Sequence, residues 1–195
     1  GAVNTARHRD GTLYGENTDG KRLVTALKKE GMSLEGKHVT MLGAGGAARA
    51  ICVECALNGA GQITVINRNA ERGKELAALL NERTNCRAEY LACEKEMKIP
   101  EDTEILINGT SAGFSPNVND RPDIDYASVG EKMCVCDVVF HPVETAFLRE
   151  AAERGAKTVT GLGMLVQQAA LNFTLWTGME APVDVMEEAL RREFR

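Results

Sequence analysis

Apolar positions along the chain follow two rhythms. Short runs such as Val39-Thr40-Met41-Leu42 and the β-branched stretch 62–66 read as strands. Further short apolar runs at 104–108, 133–139 and 157–160, with a weaker one at 87–91, extend the series. Between them the spacing changes to the helical period: residues 47–57, residues 70–82 with Leu76, Leu79 and Leu80 on one face, and residues 144–154 stopped by Gly155. Alternating strands and helices predict parallel βαβ units with right-handed crossovers. The expected fold is therefore an α/β, Rossmann-type, doubly wound and mostly parallel six-stranded sheet over residues 33–160.

The two ends depart from this alternation. Residues 2–15 predict a hairpin, because Asp10-Gly11 separates two extended runs. A helix follows, with Thr18 as N-cap, Leu23, Val24 and Leu27 as its apolar stripe and Gly31 as its C′ glycine. At the other end, helices are expected over 162–176 and 183–193, with Pro182 at an N1-like position. Residues 109–122 are rich in Gly, Ser, Pro and Asn and predict a loop.

Gly43-Ala44-Gly45-Gly46-Ala47-Ala48 joins the first of the parallel strands to its helix. A strand entering Gly-x-Gly-x-x-Gly/Ala offers bare backbone N–H groups to a pyrophosphate at a helix N-terminus. Gly43 makes the tight turn, Gly45 admits the phosphates, and Ala48 lets the helix pack close to the strand. At the end of the next strand, where a site for NAD carries an acid for the ribose, the chain has Asn67, then Arg68, Asn69 and Arg72. Arg68 and Arg72 read either as solvated charges at a helix start or as a clamp for a 2′-phosphate. Cations there oppose the helix dipole, which favours the clamp and so NADP over NAD.

Composition narrows the function without naming it. The 195 residues carry a net charge of −5 with 44% hydrophobic and 26% charged residues, ordinary for a globular protein with a core. No basic tract points to nucleic acid or a membrane surface, and no apolar run is long enough to span a bilayer. The six cysteines include Cys52-Val53-Glu54-Cys55, but no second pair stands at zinc spacing. They are expected to be free structural thiols in a reducing cytoplasm, and no metal site is expected. Asp19 alone reads as a first-turn helix acid. Asn108-Gly109-Thr110-Ser111 leaves a strand at the edge where α/β folds bind ligands, though such residues are also ordinary loop chemistry. His141 reads as a surface histidine or an acid/base group.

Taken in order, Gly1-Ala-Val-Asn-Thr5, Gly15-Glu-Asn-Thr-Asp-Gly20, Gly43-Ala-Gly-Gly-Ala-Ala48, Asn67-Arg68, Asn108-Gly-Thr-Ser111, Asp137-x-x-Phe-x-Pro-x-x-Thr145 and Gly161-Leu-Gly-Met-Leu-Val-x-Gln168 resemble shikimate dehydrogenase. The resemblance implies NADPH-dependent reduction of 3-dehydroshikimate to shikimate, in the biosynthesis of chorismate and the aromatic amino acids. It implies that Asn4, Asp19, Phe140 and Gln168 meet substrate, with Asp19 the acid of a catalytic Lys–Asp pair. It implies that Gly43, Ala44, Gly45, Gly46 and Ala47 hold pyrophosphate, and that Asn67, Arg68, Asn69 and Arg72 hold the 2′-phosphate. Thr110 and Ser111 are expected near the cofactor, and Val138, Gly161 and Met164 at the nicotinamide.

Two departures shape the expectation. The family's lysine motif, Asn-x-Thr-x-Pro-x-Lys, does not occur in these residues, and Phe140 stands where the family has tyrosine. On this reading residues 1–32 are a remnant of a substrate domain, residues 33–160 bind NADP, and residues 161–195 pack back on the substrate domain. The isolated chain is expected to bind cofactor without turning over shikimate. The apolar faces around Leu23, Leu27, Leu165, Phe173 and Trp176 are expected to be partly uncovered and to favour self-association. The alternatives left open are a quinate/shikimate dehydrogenase using NAD and a non-catalytic dinucleotide-binding module.

Overall fold

Six strands align in parallel at the centre of the molecule, in a computed structural model that describes residues 3–194. The chain order is β1 (Thr5–Arg9), β2 (Thr12–Glu16), α1 (Asp19–Lys29), β3 (His38–Leu42), α2 (Gly46–Leu57), β4 (Gln62–Asn67), α3 (Ala70–Arg83) and β5 (Arg87–Ala92). There follow β6 (Ile105–Asn108), a short 3-10 turn at Tyr126–Ser128, β7 (Cys134–Asp137), α4 (Ala146–Glu153), β8 (Lys157–Val159), α5 (Gly161–Thr177) and α6 (Val183–Glu193). The sheet runs β5-β4-β3-β6-β7-β8. Strand order therefore reverses between β3 and β6, and a crevice opens beyond their C-terminal ends, the usual ligand position in such sheets.

Each strand presents alternate residues to two cores. Val39 and Met41 of β3, Ile63 and Val65 of β4, and Ile105 and Ile107 of β6 face a core shared with α1, α2, α3 and α5. Leu42, Ile66, Leu106 and Val135 face the second core, closed by Phe147, Leu148 and Ala151 of α4 and by Tyr126. Helices on both faces bury the sheet twice, which is why its strands read as continuous apolar runs.

The N-terminal hairpin forms as an isolated pair, with Thr5 opposite Glu16 and Arg9 opposite Thr12, and Gly11 at φ +75° in its turn. Gly1 and Ala2, which the expected hairpin includes, lie outside the described residues. Helix α1 does not behave as an uncovered remnant. Leu23 and Leu27 are wholly buried against the main core, which corrects the expectation that this face is open. The stripe is covered from within the chain, because α2 and α5 pack on it. Gly20 permits the α1–α2 approach, since a Cβ there would stand 2.4 Å from the Ala50 carbonyl oxygen. Leu165 and Phe173 are half-buried, and of the named group Trp176 is the exposed one, at 59%. Its indole N–H donates to the Ala6 carbonyl, 3.3 Å away, tying α5 to the hairpin. Two end details differ from expectation. Thr18 is N-cap by position but its hydroxyl makes no capping bond, and Pro182 is the N-cap of α6 rather than its first residue.

Candidate active site at the carboxyl edge of the sheet

Where β3 ends, Gly43 takes φ +104°, a backbone state that disfavours any side chain. A Cβ on it would also press to 3.1 Å on the Gly109 carbonyl oxygen and on Thr110 Cγ2. Gly109 repeats the constraint from the other side. A Cβ there would lie 2.8 Å from Met41 Sδ and 3.0 Å from Ala48 Cβ. The two glycines let β3 and β6 close on each other at the switch point, and this packing explains Gly109 in the Asn-Gly-Thr-Ser stretch.

Gly45 is the N-cap of α2 and, having no side chain, gives it no cap bond. Its neighbours contrast with it: α3, α4 and α5 are capped by Asn69, Thr145 and Thr160. The first-turn N–H groups of α2 thus lack the protein acceptor that the other three helices have. No acidic residue sits in that turn, and Gly45 and Gly46 are exposed with open space where a Cβ would go. A bare helix N-terminus opening on a crevice suits an anion with several oxygens. Beyond the adjacent strand β4, Arg68 and Arg72 are exposed, and neither guanidinium has a hydrogen-bond or ion-pair partner among the described residues. Asn67 and Asn69 are engaged locally instead. The Asn67 amide donates to the Asn69 carbonyl at 2.8 Å, and Asn69 Oδ1 accepts the Arg72 backbone N–H at 2.9 Å. Their side chains shape the turn, and the two arginines are what it presents. Unpaired guanidiniums beside bare N–H groups fit a dinucleotide with an added phosphate.

The neighbouring wall of the crevice is a buried polar network that joins the stretch 108–111, expected near the cofactor, to Asp137 and Thr145. Asp137, at the end of β7, accepts from Thr145 Oγ1 at 2.7 Å, the Val139 N–H at 2.9 Å and Asn108 Nδ2 at 3.0 Å. Asn108 Oδ1 in turn accepts from Thr110 Oγ1 at 2.6 Å and the Thr110 N–H at 3.1 Å. Burial pushes the Asp137 carboxyl up to about 6, and the bonds from Thr145, Val139 and Asn108 oppose that rise. The hydroxyl of Thr110 therefore turns inward, whereas Ser111 is exposed. The eight-residue interval from Asp137 to Thr145 was visible in the sequence. That Asp137 also takes a hydrogen bond from Asn108 was not.

Val138 is half-buried beside this network, and Gly161 starts α5 against it. A Cβ at Gly161 would stand 2.1 Å from the Val139 carbonyl oxygen. Met164, expected at the nicotinamide, is wholly buried in the main core on the face that α5 turns toward the sheet. Phe140 is half-buried in an aromatic row. It packs edge-on against Phe114 at 5.7 Å and against Phe194 at 5.9 Å, and Phe194 also meets His141 at 5.3 Å.

Residues far apart in sequence meet at the N-terminus of α1. Gln168 Nε2 donates to Asp19 Oδ1 at 3.3 Å. Between them lies Arg22, which no sequence motif indicated. Its Nη1 donates to Gln168 Oε1 at 2.8 Å, and its Nη2 is 3.4 Å from Asp19 Oδ1. Its side chain is 9% exposed, and its Nε is buried without a partner. Burial lowers the Arg22 pKa, with Asp19 opposing. Asn4 stands next to this group rather than in it: Asn4 Oδ1 accepts the Thr18 N–H at 2.9 Å and Thr18 Oγ1 at 3.2 Å. That pair of bonds fixes the start of α1 to the hairpin.

The cysteines are all free, and Cys93 alone is not fully buried. Among the described residues no cluster of metal-ligating side chains occurs, and no helix is long and apolar enough to cross a membrane.

Comparison with known proteins agrees with this fold. The family model described as shikimate/quinate 5-dehydrogenase matches residues 25–122, and that of the shikimate 5′-dehydrogenase C-terminal domain matches residues 161–191. Shikimate dehydrogenase (NADP(+)) of Desulforamulus reducens is 41% identical over 99% of this chain and 67% of its own length. The structure of ligand-free 5-ketofructose reductase from a Gluconobacter species superposes with TM-score 0.94 at 42% identity, over 99% of this chain and 69% of that one. Shikimate 5-dehydrogenase of Thermus thermophilus, solved with NADP(H) and shikimate, gives TM-score 0.81 at 36% identity, over 98% of this chain and 68% of that one.

Proposed function

The chain belongs to the shikimate/quinate 5-dehydrogenase family, and from that premise we propose that it carries the NADP site and part of the substrate site of an enzyme interconverting 3-dehydroshikimate and shikimate. The observation that carries the cofactor reading is the uncapped N-terminus of α2 together with the unpartnered guanidiniums of Arg68 and Arg72. Gly43, Ala44, Gly45, Gly46 and Ala47 present backbone to the pyrophosphate, and Arg68 and Arg72 hold the 2′-phosphate. Bound NADPH supplies the hydride for carbonyl reduction.

The chain's own groups position the substrate and share in handling its proton. Asp19 and Gln168 face the substrate hydroxyls, and Asn4 stands beside them. The Asp19 carboxylate accepts a hydroxyl proton and stabilises a neighbouring cation, the part it would take beside the family's lysine. The Asp137–Thr145–Asn108 network holds the ends of β6 and β7 rigid beneath the reacting ring. Gly161 lets α5 start close enough to bring Gln168 forward. In the pathway sense, reduction to shikimate serves aromatic biosynthesis. Because these residues do not include the Asn-x-Thr-x-Pro-x-Lys stretch, the chain alone is expected to bind cofactor and turn over shikimate negligibly.

Calorimetric titration of the chain with NADP+ and NAD+ tests the cofactor reading. NADP+ is expected to bind at least about tenfold more tightly, the scale of one charge-assisted contact. Tighter binding of NAD+ would overturn the reading. Shikimate oxidation by the chain at the rate of a full-length family member would overturn the expectation of inactivity. A second substrate reading rests on Phe140, whose ring lacks a hydroxyl and lies against Phe114 and Phe194. With 5-ketofructose reductase among the similar structures, quinate and 5-ketofructose belong beside shikimate in the binding assay.

A further inference from the structure

Arg22 sits where the two substrate-facing residues of the preceding section meet, and no role in that reading requires it. It is a buried guanidinium with one stranded Nε, a costly group to hold in a protein interior. Leucine or methionine would fill the same space without that cost. What the guanidinium adds is direction. Arginine has donors and no acceptor, and a carboxylate has acceptors and no donor. Gln168 meets both, with its Oε1 2.8 Å from Arg22 Nη1 and its Nε2 3.3 Å from Asp19 Oδ1. A carboxamide flipped by 180° would face donor to donor and acceptor to acceptor. The triangle is closed by Arg22 Nη2, 3.4 Å from the same Asp19 oxygen.

We propose that Arg22 is a positioning and specificity-determining residue that locks the Gln168 carboxamide one way round, so that the Asp19–Gln168 pair selects a hydroxyl. With Oε1 turned to Arg22, Gln168 faces the crevice with the Nε2 N–H that is not given to Asp19, while Asp19 offers an acceptor and no donor. A single hydroxyl satisfies both at once, because it donates to Asp19 and accepts from Gln168. A hydrogen, a methylene or an ether oxygen at that position leaves at least one of the two half-buried groups unmet, and an unpaired polar group is what such a site discriminates by. Without Arg22 only the longer contact to Asp19, 3.3 Å, orients the carboxamide, so it turns over more readily and a carbonyl or ether is rejected less strongly. The proposal rests on the placing of substrate at Asp19 and Gln168.

Two variants separate direction from packing. Arg22→Met keeps the apolar length and removes every donor, whereas Arg22→Lys keeps a donor-only head. In the NADP+-saturated chain, the side-chain NMR signals of the Gln168 carboxamide are expected to be those of one fixed orientation in the native protein and in Arg22→Lys, and averaged in Arg22→Met. Binding of shikimate is then compared with a set of analogues each lacking one ring hydroxyl. The native chain is expected to reject at least one analogue by tenfold or more, Arg22→Met to lose that ratio, and Arg22→Lys to recover most of it, with NADP+ affinity unchanged throughout. A fixed carboxamide in Arg22→Met, or a selectivity ratio that survives there, overturns the proposal. Equal behaviour of Met and Lys also overturns it, since that would mark Arg22 as packing only. If the native chain shows the locked carboxamide but binds no shikimate or analogue, the selectivity half fails together with the substrate reading, and the spectroscopic signature identifies that case.

Discussion

The crevice at β3 and the corner at α1 are built on opposite plans. At the crevice two features are left unpaired in front of a paired polar wall: the first turn of α2 has no cap, and the Arg68 and Arg72 guanidiniums have no partners among the described residues. At the corner each named polar side chain pairs with another, with Arg22, Asp19 and Gln168 forming a closed triangle. The first plan suits a large, multiply charged ligand that brings its own counter-charges, since unpaired solvated groups cost little until the ligand arrives. The second suits a small neutral hydroxyl, which must be recognised by geometry and cannot reorganise charges around itself. On the proposed reading, phosphate would be recognised by exposed groups and a hydroxyl by side chains fixed by one another.

Gly161 is common to both regions, so its loss is the largest effect expected. Gly161→Ala puts a Cβ within 2.1 Å of a backbone oxygen that cannot move aside. Overpacking of that kind should cost about 3 kcal/mol or more, a fall in Tm of roughly 6–12 °C for a chain of this size. Thermal unfolding measures it, and a Tm within a degree of native would show that α5 is free to shift.

Next in size is the double variant Arg68→Ala, Arg72→Ala, which should sharpen the contrast by disabling one region alone. Two charge-assisted contacts predict about a hundredfold loss of NADP+ affinity. NAD+ affinity and the Arg22–Gln168 signature should not change. Equal losses for both cofactors would mean that the arginines act on the pyrophosphate instead.

Asp137 gives a smaller, pH-dependent effect. Its folded carboxyl titrates near 6, above the ordinary value of 3.8, because burial disfavours its charge. The native state therefore keeps a proton that the unfolded chain releases. The stability due to this group is fully present below 3.8 and is lost as pH rises through 6. Asp137→Asn should therefore gain on the native chain between pH 4 and pH 7, by roughly 2 kcal/mol. A difference that stays flat over that range would remove Asp137 as a titrating group.

The smallest effect concerns the thiols. Burial pushes Cys55 up to about 12 and Cys86 up to about 11, and raises Cys52 well above the ordinary range. In the native chain DTNB should react promptly with Cys93 and with the other thiols only after unfolding. Prompt reaction of a second thiol would show that a core face opens.

The parallel strands and their helices could be read from the sequence, because a doubly covered sheet writes unbroken apolar runs and helices write a 3.6-residue period. The glycine turn could be read for a related reason: the Gly-x-Gly-x-x-Ala spacing lies within one strand-to-helix turn, although the approach of Gly43 and Ala48 to Gly109 could not. Arg22 could not. In sequence it is one more charge on a helix, and its partner Gln168 lies 146 positions away. Leu23 and Leu27 were misread as uncovered faces because the stripe announces that it will be buried, not by what. Phe194 carried no signal of the row it forms with Phe140 and His141.

By itself, then, the sequence determined the element types, the glycine turn and the arginines beyond β4, since each is written in residues within a turn or a strand of one another. Tertiary structure alone decided that α2 and α5 cover α1, that Asp137, Thr145 and Asn108 close one network, and that Arg22 stands between Asp19 and Gln168. Those are contacts between segments far apart in the chain. Their geometry depends on how the sheet and its helices pack, and local residue pattern carries no record of that.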